Sequence, residues 1–139
     1  MVLYRGVLVV LTLLIFWDVA TTYYGTLSLF GSRAFDVLQR IKETPLQIHA
    51  VAGMLAVGIV SFMLSYRVIF NASNIFTKVT VCVLFVYDFW MSLLGTAEVV
   101  GLRLWDWSNL SLMNLSVVVV LATITTASPL LIGHFHEQS

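Results

Sequence analysis

Charge is what this sequence has least of. Seven basic and seven acidic residues make up 10% of its 139 positions, against about 25% in soluble domains. A folded surface in water needs more than that, so an ordinary soluble domain is excluded. The charges cancel at pH 7, which leaves no electrostatic case for nucleic acid or an acidic substrate. The single cysteine, Cys82, rules out an internal disulfide, and the two prolines, Pro45 and Pro129, leave long stretches uninterrupted. Paired-cysteine redox motifs, a His-Glu-x-x-His zinc motif, a Gly-x-Ser-x-Gly elbow and a phosphate-cradling glycine loop are all missing from the sequence. The chain therefore reads as no enzyme and as having no cofactor.

What is there instead is apolar. Hydrophobic residues make up 60% of the chain and its mean hydropathy is +0.97. Four segments pass the test of ~20 consecutive, mostly apolar residues that cross a bilayer as a helix. They are residues 7–29, 46–68, 79–100 and 110–132. The predicted fold is an all-α four-helix transmembrane bundle, one polytopic membrane domain over residues 1–139. An even number of spans places both termini on the same side. The basic residues divide three (Arg5, Arg67, Lys78) against four (Arg33, Arg40, Lys42, Arg103), so charge bias sets no orientation.

Between the first two spans, residues 33–43 predict a short interfacial helix. Ser32 suits its N-cap and Pro45 stops it. Ala34, Val37, Leu38 and Ile41 form one apolar stripe, with Arg33, Asp36, Arg40 and Glu43 around the other face.

Against this background two acids stand out. Asp18 and Asp88 fall near the middle of the first and third spans, where a carboxylate costs roughly 2.5–3.5 kcal/mol on insertion scales. Shifted by 70 residues, segment 16–31 overlays 86–101 with identities at Asp18/Asp88, Gly25/Gly95, Thr26/Thr96 and Gly31/Gly101, and with Thr22 on Ser92. This suggests two parallel two-helix repeats. Asp18, Thr22 and Gly25 share one helix face, as do Asp88, Ser92 and Gly95. Small residues and hydroxyls on one stripe are what close helix contacts in lipid use. Both aspartates are thus expected to point into a contact between the first and third helices, with Gly25 and Gly95 as its packing residues.

No lysine or arginine lies at the depth of the two acids. Four arrangements would offset their cost. Hydroxyls such as Thr21, Thr22, Ser92, Thr123 or Thr125 could hold them as neutral acids. The pair could bind a cation, or form a proton-relay station in a small transporter or channel. A polar or basic residue of a neighbouring subunit could reach in. Glu98 and His49 fall near one membrane face and are expected to meet in an interfacial hydrogen bond. Haem or a metal at His49 finds no second histidine at its depth. Tyr87-Asp88 resembles the Tyr-Asp half of the intramembrane aspartyl protease signature. The Gly-x-Gly-Asp half is absent and Asp18 follows Phe16-Trp17, so nothing of that family carries over.

Two functions follow. One is an accessory subunit of a larger membrane protein complex, its partners being other membrane subunits. The alternative is a small homo-oligomeric ion- or proton-coupled transporter or channel that uses Asp18, Thr22, Asp88, Ser92 and Glu98.

Overall fold

The computed structural model describes residues 2–30, 41–64, 74–102 and 111–137, and among these the chain is all-helical. Four helices occur in order: α1 Val2–Phe30, α2 Leu46–Leu64, α3 Ile75–Val99 and α4 Leu112–Glu137. In hydrocarbon a backbone must satisfy its own hydrogen bonds, which long uninterrupted helices do. Three of them contain stretches long and apolar enough to cross a membrane: Arg5–Phe30, Ile75–Val99 and Leu112–His134. The chain is a multi-pass integral membrane protein. α2 is apolar but shorter; its 19 residues rise about 28 Å, just under a hydrocarbon core of ~30 Å.

The helix ends depart from the sequence expectations in ways that local chemistry explains. α1 starts five residues early and carries the exposed Arg5 within it. α3 starts a turn before residue 79 because Asn74 caps it, its side chain accepting from the Phe76 N–H at 2.9 Å. It ends at Val99, where Gly101 takes a left-handed φ of +77°. The Gly101 N–H then donates to Glu98 O at 3.0 Å and the Leu102 N–H to Ala97 O at 2.7 Å, a glycine-based stop that satisfies the last carbonyls.

α4 runs past the expected residue 132 to Glu137, straight through Pro129. A proline has no N–H for the carbonyl four residues back, here that of Thr125. The Ser128 hydroxyl donates to that oxygen at 2.7 Å, so the acceptor is satisfied and the helix continues. The expected second span, 46–68, is helical through Leu64, and residues 65–68 lie outside the described residues. The expected interfacial helix is seen only at its end, residues 41–43, which are helical; residues 33–40 lie outside the described set.

Packing centres on α1, which touches the other three helices and meets α3 most extensively. Leu93 and Ala97 of α3 join Val118 and Ala122 of α4 in a buried apolar cluster. α2 turns Ala52, Ala56, Ile59 and Val60 inward. Large apolar side chains such as Phe16, Val83, Trp90, Met54 and Val120 stand on the outside, as lipid contact requires.

Candidate functional site

The α1–α3 crossing is built on glycine. A Cβ at Gly25 would collide with the main-chain carbonyl of Met91, and one at Gly95 with that of Thr21. The two backbones are therefore in direct contact at both points, the close approach that small residues permit in membranes. The two contacts are reciprocal under the 70-residue shift, since 25 and 91 become 95 and 21.

Two turns before each glycine sits the acid of the polar centre. Asp18 and Asp88 are both fully buried, and their carboxyl groups lie within hydrogen-bonding reach of one another. Thr22 of α1 donates to Asp88 Oδ1 at 2.8 Å. Its counterpart Ser92 of α3 comes within reach of Asp18, again the reciprocal contact. Both expected faces thus meet as the sequence placed them, and Asp18, Thr22, Gly25, Asp88, Ser92 and Gly95 form one site.

α4 completes it. Thr126 donates to Asp18 Oδ1 at 3.5 Å, the longest of these contacts. Thr125 lies 3.2 Å from Ser92 Oγ, which in turn lies 3.0 Å from Thr21 Oγ1. Of these, Thr126 went unnamed from sequence. It belongs to a run of hydroxyl and β-branched residues at 123–126, and only the rotation of α4 decides which of them face inward. Thr123, a candidate hydroxyl on sequence grounds, instead faces outward and donates to Val119 O at 2.7 Å.

The hydroxyl hydrogens can be accounted for one by one. Thr21 donates back to the main-chain oxygens of Trp17 and Asp18, at 3.0 and 3.1 Å. Thr125 donates to those of Leu121 and Ala122, both at 3.0 Å. Thr26 donates to Thr22 O at 2.8 Å, so the Tyr87 hydroxyl, 3.0 Å away, donates to Thr26. Ser92 has one hydrogen and three acceptors around it: Asp18, Thr21 and Thr125. Donors run out before acceptors do. Asp18 Oδ2 and Asp88 Oδ2 are buried with no donor among the described residues.

Thr96 Oγ1 is also buried and unpaired. Its counterpart under the shift, Thr26, is served by Tyr87, so the reciprocal pattern breaks here.

The second expected site is arranged differently. Both ring nitrogens of His49 are taken by others: Nδ1 meets the Tyr23 hydroxyl, and Nε2 lies 2.8 Å from Ile41 O. The expected hydrogen bond to Glu98 is therefore not the one His49 makes. The ring stacks on Tyr23 at 6.0 Å between centroids, and Tyr23 packs edge-on to Tyr24. His49 ties the start of α2 and the turn before it to α1. With both nitrogens engaged, it presents no free ligand atom for haem or a metal. Glu98 is partly buried near the end of α3 and is not part of the acid pair's contacts.

Compared with known proteins, the chain matches no family model, no curated protein and no solved structure.

Proposed function

We propose that the chain is a four-span bundle, with α2 as the fourth span, and that it works as a small ion- or proton-coupled transporter whose cation site is the Asp18–Asp88 pair. One observation carries this reading. Two carboxyls are closed in against each other by this chain's own helices, deep in two spans, and their contacts are hydroxyls and one another. Intramembrane acids that face a bundle interior are a default sign of an ion or proton pathway. The reciprocal contacts of α1 and α3 support a pair of parallel repeats with the site at their shared axis, the arrangement many transporters use.

The enclosure also weighs between the two functions read from sequence. α1, α3 and α4 already cover both acids, so no residue from a neighbouring subunit is required to reach them. A role as an accessory subunit then rests on the exposed apolar faces alone, which lipid covers equally well.

The test is flux. Purified protein is reconstituted into liposomes holding a pH-sensitive dye, and a proton gradient is imposed in sodium-free and sodium-containing buffers. Wild type should dissipate the gradient, and Asp18→Asn and Asp88→Asn should not. Wild-type vesicles no leakier than empty ones, or undiminished flux in both variants, would overturn the reading.

A further inference from the structure

We infer that the occupant of the Asp18–Asp88 site is a single proton held between the two carboxyl groups, and not a metal cation. The inference rests on the cation-site reading above and names its ligand. It is carried by three observations that concern hydrogen supply and space.

The first is the pair of orphans. Each carboxyl has one oxygen, Oδ1, served by a threonine of another helix and a second, Oδ2, served by none. A buried acceptor left without a donor is costly. One proton on either Oδ2, donated to the other carboxyl, supplies a donor to one acid and removes an acceptor from the other. A single hydrogen therefore answers both orphans at once, which is possible because the carboxyls lie within reach of each other.

The second is that the surroundings have too few hydrogens to lend. Thr21 and Thr125 give theirs to helix carbonyls, Thr22 gives its own to Asp88, and Ser92 has one for three acceptors. Among the described residues no other titratable or charged group faces the pair. α1, α3 and α4 turn Thr22, Ser92 and Thr126 towards it, and the described buried residues of α2 are Ala52, Ala56, Ile59 and Val60. Tyr87 is committed to Thr26 and Tyr23 to His49. Among the described residues this leaves only the Ser92 hydrogen uncommitted, and one donor beside Asp18 cannot serve both orphans.

The third is room. Calcium and magnesium ions take about six or more oxygens at 2.0–2.6 Å. Here Gly25 on Met91 and Gly95 on Thr21 hold the two backbones in contact one turn away, so the carboxyls cannot part to admit such a shell without opening the crossing. Among the described residues no third acid, histidine or cysteine joins the pair. A proton needs no shell and no room.

Infrared spectroscopy of the full-length protein in lipid tests this without any flux measurement. The expected result is a carboxylic-acid C=O band that is lost completely in Asp18→Asn and equally in Asp88→Asn. Either asparagine offers the remaining carboxylate an N–H donor and makes the shared proton unnecessary. A band that merely halves in each variant means two separately protonated acids, and would overturn the inference. A second measurement needs no variant. The band of the wild type is titrated with pH at low and high sodium or lithium. For a competing cation each tenfold rise moves the midpoint by about one pH unit; no movement is expected here. A tenfold-per-unit shift would show that a metal ion takes the site, leaving an ion-coupled transporter standing with a different ligand. A shared proton found in a protein with no flux would leave this inference standing and remove the transport reading.

Discussion

Gly95 lies directly against the main-chain carbonyl of Thr21, with no space between them for a methyl group. Adding one forces the α1–α3 crossing apart exactly where the acid pair depends on it. Gly95→Ala should destabilise the protein by about 1–3 kcal/mol, and Gly25→Ala, against Met91, by a similar amount. Gly58 on the outer side of α2 has nothing within 4 Å of its would-be Cβ. Gly58→Ala should be neutral or stabilising by up to ~1 kcal/mol, as helix propensity alone would have it. Unfolding in detergent–denaturant mixtures measures all three. Equal effects at Gly95 and Gly58 would show that the crossing is not the tight contact described.

Thr22 and Thr123 offer a second contrast, since both are threonines in long apolar helices. The Thr22 hydroxyl is buried and donates to Asp88, whereas that of Thr123 faces outward and bonds only its own helix. Replacing each with valine keeps the shape and removes the hydroxyl. Thr22→Val removes the donor to Asp88 Oδ1 and should cost about 1–3 kcal/mol. Thr123→Val should stay within ~0.5 kcal/mol of wild type. A negligible effect at Thr22 would mean that Asp88 draws its stabilisation from elsewhere.

How much of this arrangement was legible follows from what sets each contact. The faces Asp18–Thr22–Gly25 and Asp88–Ser92–Gly95 were readable because helix periodicity alone puts those residues in line, and the polar members leave lipid only by meeting each other. Pairing of α1 with α3 followed from the same constraint. Thr126 was not readable, because Thr123, Thr125 and Thr126 are alike in chemistry and only the packing of α4 turns Thr125 and Thr126 inward and Thr123 outward. His49 was misassigned to Glu98 for a related reason. Both were placed at the right depth, but depth does not fix direction, and α2 docks so that the ring meets Tyr23 on α1. The ends of α3 and α4 were set by individual hydrogen bonds, of Asn74 and Ser128, that an apolar window does not register.

Ser128 and Pro129 should prove thermodynamically coupled. Ser128 supplies the Thr125 carbonyl with the hydrogen bond that Pro129 cannot. Ser128→Ala alone leaves that buried oxygen unserved and should cost about 1–3 kcal/mol. Made together with Pro129→Ala, which restores a main-chain N–H to the helix, the same change should cost much less. A double-mutant cycle would read this as a coupling of about 1 kcal/mol. Strict additivity of the two substitutions would show that the hydroxyl does not stand in for the amide.

Thr96 leads to a prediction of opposite sign. Its hydroxyl is fully buried and has no partner among the described residues. In the folded state an unsatisfied hydroxyl is a net cost, while valine of nearly the same shape has none to satisfy. Thr96→Val should therefore stabilise the protein, by about 1 kcal/mol, whereas the same change at Thr22 destabilises it. The two positions are close in burial and in chemistry, so burial alone forecasts the same response from both. They part only if the account of hydroxyl hydrogens around the acid pair is right. Destabilisation by Thr96→Val would show that Thr96 serves an acceptor and that the supply of donors is larger than the network described here.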